Sequence, residues 1–209
     1  MLPLVALGPR RHVNLQGQRI PLEYDFRRWM WRNERCLELA LGRLALAVHT
    51  PHTVLEIGNV MPLAGAHGHT VVDKYETGAG IINEDVLTFA SGRRYGLVLS
   101  ISTFEHVGWD EEPRDPDKAS AALSRLSGLV EEDGALLVTI PVGDHRRLER
   151  SFVADDGPFD AVSLFVKASR LARWEPRPPA ERGNVRYGSP YANGNAVLVG
   201  TRGTPFRPR

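Results

Sequence analysis

Short apolar runs, each ending in an acid or a glycine, recur along this chain. Thr53-Val54-Leu55-Glu56-Ile57-Gly58 is the first of them. A near-continuous apolar run of that length reads as a strand buried on both faces. The same rule predicts strands over residues 69–73, 81–86, 95–101, 135–140, 161–169 and 195–201. Elsewhere the period changes. Leu37, Leu41, Leu44 and Ala45 recur at helical spacing inside a predicted helix over 25–48, with Asp25 as its N-cap and Thr50-Pro51 as its stop. Residues 119–130 form a second amphipathic pattern, halted by Asp133-Gly134, and 145–151 a short third one. Pro3, Pro9, Gly17 and Pro21 break residues 1–22 into an irregular or β-like arm. Residues 173–183, rich in proline and charge, read as a surface loop, and the tail after Gly203 as frayed.

Strands alternating with helical segments imply a parallel sheet of the α/β class, with helices on both faces and a helical N-terminal lead-in. The two last strands have no full helix between them. That permits a hairpin, and hence one antiparallel strand at the sheet edge.

A chain of 209 residues suits a single domain with a core of ordinary size. Lys and Arg (26) nearly balance Asp and Glu (25), which speaks against nucleic acid or an anionic membrane as partner. The one cysteine, Cys36, excludes a disulfide framework within the chain. It falls in an apolar helical pattern, so a buried inert thiol and a cytoplasmic location are expected. No apolar run approaches the ~20 residues that span a bilayer, and the first residues, lacking a charged segment ahead of the apolar part, make a poor signal peptide.

Open α/β sheets bind ligands beyond the carboxyl ends of their strands. Gly58 allows a tight turn at such an end. Glu56 either offers its carboxylate to a ligand amine or hydroxyl or caps backbone N–H groups in the Gly58 turn. Acids recur at the next strand ends, Asp73 and Asp85, and this rhythm points to a nucleotide-type cofactor.

From Thr53 to Gly143 the chain resembles the class I S-adenosylmethionine-dependent methyltransferases, which have a Rossmann-like sheet. Val54-Leu55-Glu56-Ile57-Gly58 resembles their first cofactor motif, and Asp73, 17 residues after Glu56, stands where the family places its ribose-binding acid. Glu84-Asp85-Val86 resembles the segment that meets the adenine. The run from Leu97 to Val107, with Glu105-His106-Val107, resembles the fourth strand and its loop, and Val130 to Leu137 the helix end, turn and fifth strand. Arg32-Asn33-Glu34-Arg35, Gly108 to Arg114 and Tyr187-Gly188-Ser189-Pro190 are similar to a bacterial branch of small methyltransferases whose acceptors are often unassigned. Two departures stand out. Only the first glycine of the usual glycine-rich loop is present, since Gly58 is followed by Asn59-Val60-Met61-Pro62-Leu63-Ala64. Gly96 replaces the aspartate that usually opens the fourth strand.

The resemblance implies methyl transfer from S-adenosylmethionine to an oxygen or nitrogen of a small molecule, such as a sugar or secondary metabolite. It implies cofactor contacts from Glu56, Gly58, Asn59, Asp73, Lys74, Asp85, Val86 and Ser102, with Glu76 in reserve for the ribose. His106 is the base best placed by sequence, and Glu105 is its neighbour. In this division residues 1–50 are arm and helix, 51–143 the cofactor half, 144–203 the acceptor half, and 204–209 a tail. Trp29 and Trp31 on the lead-in helix either cover the cofactor or pack in the core. Asp110-Glu111-Glu112 reads as a solvated loop, and His67 and His69 as a polar loop, so no metal is expected. The rival reading is a non-catalytic binding protein of the same fold. A nicotinamide dehydrogenase would want glycine-x-glycine-x-x-glycine after the first strand, and residues 59–64 contain no glycine.

Overall fold

The computed structural model describes residues 11–24, 30–170 and 173–208, with Trp31 described by its backbone alone. The elements run β1 (His12–Leu15), β2 (Gln18–Pro21), α1 (Arg35–Val48), β3 (Val54–Ile57), β4 (Thr70–Val72), β5 (Ile81–Ile82), β6 (Tyr95–Ile101), α2 (Lys118–Arg125), β7 (Val130–Pro141), α3 (Arg146–Phe152), β8 (Ala161–Ser169), β9 (Arg173–Arg177) and β10 (Ala196–Arg202). Eight strands make one sheet in the order β5-β4-β3-β6-β7-β10-β8-β9, and β1 and β2 form a separate hairpin.

The first five strands of that order are mutually parallel. The remaining pairings are antiparallel. β10 runs against both its neighbours and lies inside the sheet, between β7 and β8, rather than at the edge where a simple hairpin would leave it. Its sequence explains the placement: Ala196, Val197, Leu198 and Val199 are all buried, so the strand needs cover on both faces. The outer edge is β9, formed by residues expected to be loop. Arg173, Pro176 and Arg177 suit an edge, where a missing N–H and exposed charge do no harm.

Alternation along each strand divides the core into two layers. Leu97, Leu99 and Ile101 of β6 point to the face covered by α1 and the β1–β2 hairpin. Val98 of β6, with Leu136 and Val138 of β7, points to the face covered by α2 and α3. Helices therefore lie on both faces, as the α/β class requires.

α1 begins at Arg35, after a 3-10 turn at Met30–Arg32. The expected cap Asp25 and Trp29 lie outside the described residues, as does the side chain of Trp31. The second helix is shorter than its sequence pattern: α2 ends at Arg125 and a 3-10 segment, Leu126–Leu129, leads into β7. Turns, not a helix, connect β3 to β4, because Pro62, Gly65 and Gly68 interrupt any helical run there. Among the described residues no helix is long and apolar enough to cross a membrane.

Candidate functional site

A cavity of about 560 Å³ opens at the carboxyl ends of β3, β4 and β6. Gly58 and Asn59 enter it from the β3 loop, Asp73, Lys74, Tyr75 and Glu76 from the β4 loop, and Asp85 and Val86 from beyond β5. Ser102, Thr103 and His106 line it after β6, and Arg35 and Leu39 from α1. Its size and position suit a small ligand.

The loop after β3 is held from within the protein. Gly58 N–H donates to Val72 O at 2.8 Å. Asn59 N–H donates to Asp73 Oδ2 at 3.1 Å. Val60 and Met61 N–H both donate to Glu56 Oε1, at 3.0 and 2.8 Å. Four successive backbone donors are thus satisfied internally, so the loop is no anion-binding nest. Gly58 is required here twice over: its φ is +92°, and a Cβ would stand 2.1 Å from Thr103 Oγ1.

Glu56 is fully buried and does not reach the cavity. Its second oxygen, Oε2, lies 2.6 Å from Nε2 of His69, which is also buried. The sequence left this acid with two uses, ligand contact and turn capping. The structure gives it the second.

Asp73 is partly committed too. Its Oδ1 accepts from the N–H groups of Tyr75 and Glu76, at 2.9 and 2.8 Å. Glu76 is exposed at the cavity, and its Oε2 accepts from Asn59 Nδ2 at 2.7 Å. The two acids stand side by side on one wall.

Asp85 faces the cavity within a four-membered ion cluster. Lys118 Nζ lies 2.5 Å from both Asp85 Oδ2 and Glu111 Oε2. Lys74 Nζ lies 3.1 Å from Asp85 and 2.8 Å from Glu111. Burial pushes the Asp85 carboxyl up, but hydrogen bonds from Lys118, Leu87 N–H and Lys74 outweigh it and bring it down to about 2. Glu111 is lowered by the same competition, burial against Lys118 and Lys74. Lys74 is raised, chiefly by Glu111. Nothing in the sequence signalled this cluster, because its members are separated by up to 44 positions, from Lys74 to Lys118.

Ser102 is buried with a positive φ of 40°, a sparsely populated conformation for serine. Its hydroxyl donates to Glu38 Oε1 at 2.5 Å, and Thr139 Oγ1 donates to the same oxygen at 3.1 Å. Arg35 Nη1 lies 3.3 Å from Glu38 Oε2. Glu38 sits on the apolar face of α1, and such a misplaced acid was the signal available in the sequence.

Glu105 lies behind the cavity wall, not on it. Its Oε2 is buried without a hydrogen-bond partner. Burial, with the charge of Glu38 beside it, holds the Glu105 carboxyl well above the usual carboxylate range. His106, by contrast, is more than half exposed. Its Nδ1 lies 2.6 Å from Asp110 Oδ2, and its Nε2 lies 3.8 Å from Glu105 Oε1. Among the described residues no group of three or more His, Cys, Asp or Glu side chains is arranged to hold a metal ion.

Counted by charge, the cavity wall is acidic. Among the described residues Asp73, Glu76, Glu84, Asp85, Asp110 and Glu111 face it, against Arg35 and Lys74. Lys74 is engaged by Asp85 and Glu111. Among the described residues Arg35 supplies the wall's one guanidinium.

No protein-family model matches the sequence, and no curated protein does. Among solved structures, the chain is similar to the N-methyltransferase NodS from Bradyrhizobium japonicum in complex with S-adenosyl-L-homocysteine. That match has 14% identity over 80% of this chain and 85% of the other, with a TM-score of 0.48. It is also similar to an S-adenosylmethionine-dependent methyltransferase from Clostridium acetobutylicum, at 11% identity over 87% and 93% of the two chains and a TM-score of 0.41. The plantazolicin methyltransferase BpumL in complex with S-adenosyl-L-homocysteine matches at 12% identity over 85% of each chain, with a TM-score of 0.42. These proteins of similar fold are methyltransferases.

Proposed function

We propose that this protein transfers a methyl group from S-adenosylmethionine to an oxygen or nitrogen of a small-molecule acceptor. One observation carries the reading: an acid-walled cavity at the strand ends whose glycine loop has no backbone donor left for a phosphate. A dinucleotide places its pyrophosphate on such a loop and on the helix that follows it. Here the loop donors are spent and turns replace the helix. Six facing carboxylates would repel a pyrophosphate further. They favour an adenosyl ligand without phosphate and with a positive charge.

When bound, S-adenosylmethionine supplies a methyl carbon on a positively charged sulfur. The chain's own residues supply orientation and proton handling. Asp73 and Glu76 present carboxylate oxygens to the ribose diol, with Asn59 held beside them. Asp85 and Val86 frame the adenine, with Lys74 and Lys118 fixing Asp85 in place. Arg35 faces the carboxylate of the methionine part, and Gly58 and Ser102 border its path. Glu56 serves by holding the loop. Orientation of this kind is worth about 7–11 kcal/mol when the reacting atoms are aligned. His106 takes the proton of the acceptor, a contribution typically of about 10²–10⁴ in rate. Glu105 packs behind it, buried and off the cavity wall. Residues 144–203 then form the acceptor side of one continuous domain, and the reading places the protein in the cytoplasm.

Calorimetric titration with S-adenosyl-L-homocysteine and with NAD tests the proposal. Saturable binding of the first and none of the second is expected. Binding of NAD in preference, or no binding of the adenosyl ligand by folded protein, refutes it. Binding without methyl transfer to any of a broad acceptor panel would instead identify a non-catalytic binding protein.

A further inference from the structure

Among the described residues His106 is the sole histidine on the cavity wall. It sits in a tight turn in which its own N–H donates to Thr103 O, at 3.0 Å, and Asp110 N–H donates to His106 O, at 3.1 Å. That turn brings Asp110 back over the ring, with Oδ2 2.6 Å from Nδ1. An ionised carboxylate only accepts hydrogen bonds. A neutral imidazole facing it must therefore carry its proton on Nδ1, which leaves the lone pair on Nε2. Glu105 Oε1, 3.8 Å from Nε2, is beyond hydrogen-bond reach.

We infer that Asp110 is a positioning residue: it fixes the tautomer and angle of His106 so that Nε2 stands ready to accept a proton from the methyl acceptor. The inference rests on the methyl-transfer reading for its purpose, but its geometry stands independently. The step balances. The acceptor's oxygen or nitrogen forms a bond to the methyl carbon as the carbon–sulfur bond breaks and its electron pair stays on sulfur. The acceptor's proton passes to Nε2 and then to solvent, so one proton is released for each methyl moved. From the sequence Asp110 reads as part of a solvated loop within a segment similar to the bacterial branch, with no partner indicated. Its partnership depends on the turn at residues 103–110, which apolar patterning does not report.

The test is nitrogen NMR of the imidazoles in protein labelled with ¹⁵N-histidine, at a pH where His106 is neutral. The chain has 7 histidines, so His106→Gln identifies the signal. The expected wild-type pattern is a protonated Nδ1 and a bare Nε2. In Asp110→Ala the ring should return to the preference of imidazole in water, with the proton on Nε2, and Asp110→Glu should restore the wild-type pattern at least in part. A wild-type ring protonated on Nε2, or a spectrum unchanged in Asp110→Ala, overturns the inference. Titration of the same samples with S-adenosyl-L-homocysteine separates the two readings. Asp110→Ala, which also removes one carboxylate from the cavity wall, should still bind with less than a tenfold loss, and a larger loss would make Asp110 a ligand contact instead. Failure of wild type to bind removes the methyl-transfer reading while leaving the tautomer result to be judged by itself.

Discussion

Replacing Glu56 separates a structural acid from a cofactor ligand. Its carboxylate accepts two backbone N–H bonds and faces the ring of His69, all without exposure to solvent. Glu56→Ala leaves both N–H groups and the ring nitrogen without a partner. Leaving a buried ring nitrogen without its partner costs about 1–3 kcal/mol, and each N–H bond to a charged group is worth about 1.5–3 kcal/mol. These overlap, so a loss of roughly 4 kcal/mol is the working figure, against a total of about 5–15 kcal/mol for a typical domain. For a chain of this size that corresponds to a fall in Tm of roughly 8–16 °C. Glu56→Gln keeps one carbonyl oxygen for the two N–H groups and should lose less than half as much. Scanning calorimetry and urea titration measure the stability, and calorimetric titration with S-adenosyl-L-homocysteine at low temperature measures binding by the folded fraction. The reasoning fails if Glu56→Ala melts within 2 °C of wild type, an allowance of roughly 1 kcal/mol or less, yet binds the ligand tenfold more weakly. That pair of results would make Glu56 a direct contact.

Gly58→Ala should cost stability through the +92° φ and the contact with Thr103, about 1–3 kcal/mol from strain alone. Thr103→Ala in the same chain should recover only part of it, as thermal melts will report. Glu105 and the Asp85 cluster shape stability against pH in opposite senses. The Glu105 carboxyl is raised in the folded state, so the native state loses stability as pH climbs from the unfolded carboxyl range toward the higher folded value. Glu105→Gln should remove that pH dependence, and equal wild-type stabilities from urea melts at pH 5 and 8 would contradict the assignment. Asp85, brought down to about 2, contributes stability above its unfolded value of 3.8, and this is lost as pH falls toward 2. Lys118→Met should flatten that acid limb. Cys36 is buried, and burial is the main reason its thiol is pushed up to about 12, with Trp174 Nε1–H donating to its sulfur. A thiol reagent should leave the folded protein unmodified and label it fully in denaturant.

Most strands were legible because burial on both faces leaves an unbroken apolar run. β3, β6, β8 and β10, and the apolar part of β7, stand within a residue or two of their sequence patterns. Strand order was not legible, because patterning reports what a strand buries and not its neighbour. Hence β10 appears inside the sheet and β9 forms where charge and proline suggested loop. The site was half legible for a related reason. Residues 58, 73, 85 and 102 reach the cavity because strand ends converge in any open parallel sheet. Glu56 and Glu105 lie one layer back, and the chain gives no local sign of which way an acid at a strand end will turn.

The sparse glycine loop is explained by what replaces it. A glycine-rich loop keeps its backbone open so that its N–H groups can approach a ligand. In this chain the same donors are closed by carboxylates: Glu56 beneath the loop and Asp73 across from it. One glycine, Gly58, then suffices, because a single left-handed residue brings the chain over Thr103 and the acids fix the rest. The cost is that two carboxylates are partly used for holding the protein together. The gain is a wall whose remaining lone pairs and surplus negative charge favour hydroxyl donors and a cation over a phosphate. Glycines at 60 and 62 would therefore loosen the loop rather than improve the site, since Glu56 would still hold the N–H groups they were meant to free.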